Sequence, residues 1–205
     1  RRSFLDEVAV AEALNARLQA AEVSASSVSQ AEVDSLFPDS ASAEEAPQRE
    51  AVIKALGQRF FVLTGCPGTG KTTTVLRLLM AQVRDFSRRH ERLPELVMAA
   101  PTGKAAQRLA ESLRVGVQYL KEETKALWQS EWQCVLAKEP STLHRLLGSR
   151  GASGGFSYGA DNRLPADIVL VDESSMVDLS LLRALLSALS PETMLVLLGD
   201  ADQLA

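Results

Sequence analysis

GCPGTGKTTT, at residues 65–74, is the most informative stretch of this sequence. It fits the pattern G-x-x-x-x-G-K-[ST], with the lysine at Lys71 and the hydroxyl residue at Thr72. The apolar run RFFVLTG precedes it, and a segment with helical spacing follows it. A glycine-rich loop between a strand and a helix presents backbone N–H groups and a positive helix end to a phosphate. The stretch therefore predicts a nucleotide-binding loop, and the simpler alternative is a glycine turn before an ordinary helix.

The positions of this loop have distinct expected roles in binding ATP. Lys71 is expected to contact the β- and γ-phosphates, and the Thr72 hydroxyl is expected to bind Mg²⁺. The glycines allow the backbone to approach the phosphates without a side-chain clash. The predicted ATP-binding residues of the loop are Gly65, Cys66, Pro67, Gly68, Thr69, Gly70, Lys71, Thr72 and Thr73.

Apolar strands and helical segments alternate along the rest of the chain. Strands are predicted at 59–65, 95–101, 167–173 and 193–200, with helical segments between them. Strands that are apolar throughout are typical of a parallel sheet that is covered on both faces. We therefore predict an α/β fold with a parallel sheet between layers of helices.

An acid pair, Asp172 and Glu173, ends the third predicted strand. Parallel strands bring their carboxyl ends to one edge of the sheet, where ligands bind. Asp172 is therefore expected to meet the Mg²⁺ held by Thr72, and Glu173 is expected to polarise the attacking water as a general base. Two acids at a strand end can also be a solvated loop start, but the upstream phosphate loop favours the catalytic interpretation. Gln203, after the last strand, could report on the γ-phosphate or belong to a polar loop.

The composition is that of one ordinary domain with a helical N-terminal segment. The chain has 205 residues, of which 46% are hydrophobic, so it can bury a core. Helices are predicted at about 4–23 and 29–36, and prolines then indicate a linker. We predict an N-terminal segment and linker at 1–45 and an ATPase domain at 46–205. The net charge of −4 does not support nucleic-acid binding, although a local basic patch would suffice for it.

Cysteine and histidine usage indicates a reducing compartment and no zinc-type metal site. Cys66 and Cys134 are far apart and form no CxxC pattern, and His90 and His144 lack metal-ligand spacing. We therefore expect a cytoplasmic protein. No signal peptide and no apolar run of transmembrane length is evident, so no membrane partner is expected.

Five motifs, in their order along the chain, resemble the RecD-like family of superfamily-one DNA helicases. This family includes the alpha chain of exodeoxyribonuclease V and stand-alone helicases. The motifs are GCPGTGKTTT (65–74), AAPTGKAAQRL (99–109), STLHRLLG (141–148), LVDESSM (170–176) and GDADQLA (199–205). The resemblance implies a RecA-like P-loop NTPase domain that uses ATP and Mg²⁺. For the parent protein it implies 5′→3′ unwinding of DNA in double-strand-break repair and recombination.

The resemblance also implies partners and a location. The partners would be single-stranded or double-stranded DNA, together with RecB- and RecC-like subunits if the parent protein is a true alpha chain. A nucleoid-associated protein of the cytoplasm is expected. The family carries a second RecA-like domain whose arginines stabilise the transition state. Such an arginine can raise the rate of hydrolysis by about 10³-fold or more. Since the sequence ends at Ala205, we interpret it as the first motor domain, weak or inactive alone.

Further site residues follow from the same resemblance. Gln48 resembles a glutamine that reads the adenine edge, although an ordinary glutamine at a helix start is an equal alternative. Gln203 resembles the residue that couples the γ-phosphate to DNA contact.

The DNA-side residues form a separate group. Thr102, Gly103 and Lys104 resemble the segment that touches the backbone of single-stranded DNA, and a helix N-terminus with a hydroxyl and a lysine suits a phosphate. A plain helix cap with a solvated lysine is the alternative. Thr142 and His144 resemble another DNA-side motif, although His144 taken alone is more simply a satisfied, partly buried histidine.

Two other functional classes remain open from sequence. A P-loop switch ATPase that remodels protein would have no need for PTGKAA and STLHR. A non-catalytic interaction module would have no need for an intact set of Lys71, Thr72, Asp172 and Glu173. The basic stretch at 84–92 is predicted to be a solvated helix end, and Trp128 and Trp132 are predicted to pack rather than to stack on bases.

Overall fold

The computed structural model describes residues 2–19, 26–37, 45–65, 71–151 and 154–199, with the backbone alone for 2–4, 71 and 72. Within these residues five strands form one sheet. They are β1 (Phe60–Thr64), β2 (Leu96–Ala100), β3 (Ser141–Thr142), β4 (Ile168–Val171) and β5 (Met194–Gly199). The order across the sheet is β1-β5-β4-β2-β3, and every neighbouring pair is parallel. The prediction of a parallel α/β sheet is therefore confirmed.

Helices cover the sheet and connect its strands. In chain order they are α1 (Arg2–Gln19), α2 (Gln30–Leu36), α3 (Glu45–Ala55), α4 (Lys71–His90), α5 (Gly103–Gln118), α6 (Glu122–Leu127), α7 (Gln129–Leu136), α8 (Leu143–Leu146) and α9 (Leu179–Ala188). A short 3-10 turn, Ser174–Met176, follows β4. Among the described residues, no helix combines the length and the apolar character that a membrane crossing requires.

Alternate strand residues face two separate hydrophobic cores, because successive side chains of a strand point to opposite faces. Met98, Leu170 and Val196 belong to the larger core, which α2, α3, α4, α5 and α7 cover. Their neighbours Ala99, Val171 and Leu197 belong to the second core, together with residues of α1, α8 and α9. The sheet is thus covered by helices on both faces, as predicted.

Strand β3 is a difference from the prediction of four strands. Ser141 and Thr142 pair with the last two residues of β2, Ala99 and Ala100. Thr142 also caps α8, since its Oγ1 accepts a hydrogen bond from the Arg145 amide at 3.2 Å. The sequence predicts a cap by Ser141 or Thr142, and the structure shows that it is Thr142. The strand itself was not predictable, because two residues are too few to show a period.

The N-terminal helices pack onto the sheet domain. Arg17 of α1 is buried, and its guanidinium donates to the carbonyl oxygens of Thr193 at 2.8 Å and Ser190 at 2.9 Å. These carbonyls lie between α9 and β5, so Arg17 ties α1 to the turn that leads into β5. From α2, Val33 and Leu36 enter the larger core.

The basic stretch at the end of α4 is only partly solvated. Arg88, Arg89 and Arg92 are exposed, as predicted. Arg84 is not, because only 8% of it is accessible. The prediction is wrong for Arg84 because packing of α4 against α7 brings it an acid partner and an aromatic ring, which the local sequence does not show. Arg88 pairs with Glu32, and its hydrogen bonds are the main reason that the pKa of this carboxyl falls to about 2.

Arg84 forms the centre of a buried polar cluster. Its Nε lies 2.9 Å from Glu131 Oε1, and its Nη2 donates to the Leu127 carbonyl at 2.7 Å. The guanidinium carbon lies 3.4 Å from the centroid of the Trp128 ring. Trp128 is fully buried, which confirms that it packs, and its Nε1 donates to Ser35 Oγ at 2.9 Å.

Replacing Arg84 with alanine is expected to lower the free energy of unfolding by about 3 kcal/mol. The loss is large because Glu131, of which 7% is exposed, would stay buried without its charge partner. Chemical denaturation measures this difference. The matched control is Arg114→Ala, which removes an exposed pair with Glu139 and should cost about 1 kcal/mol or less. Equal losses for the two variants would contradict the stabilising role of the cluster.

Candidate functional site

The carboxyl edge of the sheet brings four of the predicted site residues into one row, together with Gly199. Because all five strands run parallel, the residues that follow each strand meet at this edge. In the order of the strands the row reads Gly65 after β1, Gly199 at the end of β5, Asp172 after β4, Thr102 near the end of β2 and Thr142 at the end of β3. The acid pair therefore lies between the strand that leads to the glycine-rich loop and the two threonines.

The start of the predicted phosphate loop lies at one side of this row. Thr64 pairs with Gly199, and Gly65 follows directly. Helix α4 begins at Lys71, and the half-buried Thr73 lies in its first turn. The N-terminus of a 20-residue helix thus lies beyond the end of β1, where a helix dipole favours an anion. Cys66, Pro67, Gly68, Thr69 and Gly70 lie outside the described residues, as do the side chains of Lys71 and Thr72.

The acid pair lies two strands away from Gly65. Neighbouring strands are about 4.8 Å apart, so the backbones of Gly65 and Asp172 are roughly 10 Å apart. The Asp172 amide donates to the Ala99 carbonyl at 2.9 Å, which extends the β4–β2 ladder by one residue. The Asp172 Oδ1 in turn accepts the Glu173 amide at 2.8 Å. These two bonds fix the backbone and the carboxylate of Asp172 at the sheet edge.

Glu173 has an unusual backbone conformation that the sequence does not reveal. Its φ of 49° and ψ of 42° place it in the left-handed region, which is uncommon for residues other than glycine. The 3-10 turn Ser174–Met176 starts directly after it, and the Met176 amide donates to the Glu173 carbonyl at 3.0 Å. Backbone conformations of this kind concentrate at functional sites, where the surrounding structure holds them.

The predicted DNA-side residues Thr102, Gly103 and Lys104 lie at the start of α5. Thr102 caps this helix, since its Oγ1 accepts the Ala105 amide at 3.2 Å. Gly103 and Lys104 are exposed, and no atom lies within 4 Å of the position that a Cβ on Gly103 would take. The first turn of α5 is therefore open to a ligand at the carboxyl edge, with one lysine on its surface.

Thr142 and His144 lie beside this turn on the neighbouring strand. Thr142 pairs with Ala100, two residues before Thr102. His144 is exposed, so the simpler expectation of a partly buried histidine is wrong. The centroid of its ring lies 6.0 Å from that of the Phe156 ring.

Asp178, which caps α9, is an acid near His144. The Ser180 hydroxyl and then the Leu181 amide donate hydrogen bonds to its carboxylate and lower its pKa, and His144 adds a smaller effect in the same direction. Asp178 therefore stays ionised at neutral pH and adds negative charge to this side of the row.

Gln48 and Gln203 complete the list of predicted site residues. Gln48 is half-buried in the first turn of α3, a helix that packs against α4 and β1. Gln203 lies outside the described residues. Of the features at the edge, sequence reasoning missed strand β3 and the left-handed Glu173. Residues 170–180 contain neither glycine nor proline, so the local sequence does not signal that turn.

Comparison with known proteins gives one family match and several relatives. A family of AAA domains matches residues 48–205. The RecBCD enzyme subunit RecD of Mycolicibacterium smegmatis is 46% identical over 159 residues, which cover 77% of this chain and 27% of the relative. The same subunit of Haemophilus influenzae is 40% identical over 161 residues, covering 77% and 24%.

A third relative is the ATP-dependent RecD2 DNA helicase of Deinococcus radiodurans. It is 36% identical over 158 residues, which cover 77% of this chain and 18% of the helicase. The chain thus spans about a quarter of the length of the two RecD relatives and less of the RecD2 helicase. The parallel sheet, the glycine-rich loop after β1 and the acid pair after β4 agree with the match at residues 48–205, and over these residues the chain belongs to the AAA domain family.

Proposed function

We propose that this chain is the first motor domain of an ATP-dependent DNA helicase of the RecD type, which moves 5′→3′ on DNA during double-strand-break repair and recombination. The observation that carries the proposal is the order of groups along the carboxyl edge. The acid pair lies between the strand that leads to the phosphate loop and two helix N-termini that are capped by Thr102 and Thr142. One edge can therefore hold a triphosphate on one side and a nucleic-acid backbone on the other.

The residue types at this edge suit a Mg²⁺–ATP complex. The carboxylate of Asp172 and the hydroxyl of Thr72 are hard oxygen ligands of the kind that Mg²⁺ prefers, and Lys71 begins the helix that follows the loop. Lys71 and the loop amides would hold the phosphates, and Gln48 would contact the adenine. Bound Mg²⁺ would neutralise charge on the phosphates as they react.

Glu173 would act as the general base for hydrolysis. It follows Asp172 directly, and its backbone turns away from the line of β4, so its carboxylate can reach beyond the metal ligand. A water held by this carboxylate can lose its proton as it attacks the γ-phosphate. Gln203, in the segment after β5, would detect whether the γ-phosphate is present.

The residues at the other side of the edge would bind single-stranded DNA. Exposed Gly103 and Lys104 follow the Thr102 cap at the first turn of α5, where free amides and a lysine suit a phosphate. Thr142 and His144 would extend this contact along the neighbouring strand. The parent protein would act in the cytoplasm, with RecB- and RecC-like subunits if it is an alpha chain.

Single-stranded DNA is expected to stimulate ATP turnover by the full-length parent protein. In that protein, Lys104→Ala should weaken DNA binding several-fold, and the slope of log K against log salt should fall by about 0.7, the value for one phosphate contact. Fluorescence anisotropy at several salt concentrations measures both quantities. Lys121→Ala, an exposed lysine just beyond the other end of α5, is the matched control. ATP turnover that does not respond to DNA would favour a protein-remodelling switch ATPase and contradict the proposal.

A subunit of a three-chain nuclease and a stand-alone helicase differ in whether DNA unwinding requires partner proteins. Strand unwinding by the parent protein alone would favour a stand-alone helicase. Unwinding that requires RecB- and RecC-like proteins would favour the alpha chain of a three-subunit nuclease.

A further inference from the structure

Gly199 lies between the two halves of the proposed ATP site. On one side its backbone pairs with Thr64, the residue before the phosphate loop. On the other side β5 contacts the 3-10 turn Ser174–Met176 that follows the acid pair. Gly199 therefore borders both predicted groups.

The missing side chain of Gly199 leaves space that the Ser174 hydroxyl uses. A Cβ on Gly199 would lie 3.3 Å from Ser174 Oγ, which is tighter than an ordinary van der Waals contact. Gly199 does not have the positive φ that favours glycine, because it is an ordinary strand residue. Space, and not backbone conformation, is therefore the reason that this position suits a glycine.

The geometry of the ladder explains why the contact exists. Leu197 pairs with Val171, so a straight continuation of both strands would place Gly199 opposite Glu173. The chain instead leaves the ladder at Glu173 through its left-handed backbone and brings Ser174 against β5. The turn is a small hydrogen-bonded unit, since the amides of Met176 and Val177 donate to the carbonyls of Glu173 and Ser174. A displacement of Ser174 would therefore also displace Glu173.

We propose that Gly199 is a positioning residue for Glu173: its lack of a side chain lets Ser174 pack against β5 and so holds the general base in its left-handed turn. The inference rests on the proposed function, because it takes Glu173 as the base. We expect no such effect on the phosphate side, because Gly199 pairs with Thr64 through the backbone, which an added Cβ does not remove. A side chain at 199 should therefore disturb hydrolysis and leave nucleotide binding intact.

The test uses Gly199→Ala in the full-length parent protein. Displacing a catalytic group by about 1 Å costs roughly a hundred-fold in rate. The contact between the added Cβ and Ser174 Oγ requires a smaller shift, of a few tenths of an ångström. We therefore expect kcat to fall about ten-fold, with unchanged Kd for a nucleotide analogue. Ser174→Ala removes the opposing oxygen, so the double variant Gly199→Ala, Ser174→Ala should recover most of the lost kcat. Gly159→Ala is the matched control, since no atom lies within 4 Å of its added Cβ.

A second measurement does not depend on turnover. Hydrogen–deuterium exchange of the peptide at 172–177 reports the amides of Met176 and Val177, which close the turn. Gly199→Ala should speed this exchange several-fold, and Ser174→Ala should reverse the change. If the parent protein hydrolyses no ATP while the exchange responds in this way, the proposed function fails and the packing role of Gly199 stands.

Three results would overturn the inference. The first is kcat and exchange for Gly199→Ala within two-fold of the unaltered protein while Lys71→Ala abolishes turnover. The second is a loss of kcat that Ser174→Ala does not restore. The third is loss of nucleotide binding or of folding in Gly199→Ala, because the effect would then not be confined to Glu173.

Discussion

Replacing Glu173 with glutamine is expected to slow ATP hydrolysis by the full-length parent protein about 10³-fold, within the range that a positioned general base contributes. Glutamine keeps the size of the side chain and removes its ability to accept a proton from water. The fold should not change, because Glu173 lies at the sheet edge, outside both hydrophobic cores. Single-turnover phosphate release measures the hydrolysis step directly.

ATP binding should survive this change, since the phosphate loop and Asp172 are untouched. Equilibrium titration with a fluorescent ATP analogue should give a Kd within a few-fold of the unaltered protein. The control is Glu192→Gln, an exposed acid that precedes β5 and pairs with Arg59 at the opposite edge of the sheet. A Glu173→Gln protein that hydrolyses ATP within ten-fold of the normal rate would show that another group acts as the base.

Replacing Lys71 with alanine is expected to weaken ATP binding by a hundred-fold or more and to abolish turnover. The ammonium group is expected to contact two phosphates, and truncation of one partner in a close charge pair costs about 2–5 kcal/mol. The backbone of α4 should be unaffected, because alanine is a strong helix former at its first residue. Isothermal titration with ATP and Mg²⁺ measures the loss.

Lys54 offers a lysine control for this variant. It lies on α3, is largely exposed and pairs with Glu50 one helical turn away, so Lys54→Ala should leave ATP binding unchanged. An unchanged Kd for Lys71→Ala would count against the whole assignment of residues 65–73 as a phosphate loop. A Lys71→Ala protein with a lower melting temperature than the Lys54→Ala protein would instead point to a structural role for this lysine.

The fold class was predictable because its signals are local. Apolar runs at 59–65, 95–101, 167–173 and 193–200 each gave a strand, and the alternating helices required parallel pairing. The Ser29 cap of α2 was likewise readable, since its partner Glu32 lies three residues on, in a capping box. These features depend on residues that are close together in the sequence.

The features that sequence could not predict depend on contacts between distant segments. Arg84 looks like one more cation in a basic helix end, and only the packing of α7 against α4 reveals Glu131 and Trp128 beside it. The left-handed backbone of Glu173 arises where β4 leaves the ladder against β5. Within the candidate site, residue types were readable, while the order of the groups along the edge required the strand order.

The hydrogen bond from the Asp172 amide to the Ala99 carbonyl connects the candidate ATP site to the candidate DNA-binding site by a short path. Ala99 lies three residues before Thr102, a span of about 10 Å along an extended backbone. A displacement of the acid pair on loss of the γ-phosphate would therefore reach the first turn of α5 through one rigid ladder. In the proposed motor, sensing of the nucleotide and release of the strand would need no relay through distant loops, and the second domain would serve to convert that release into a directed step.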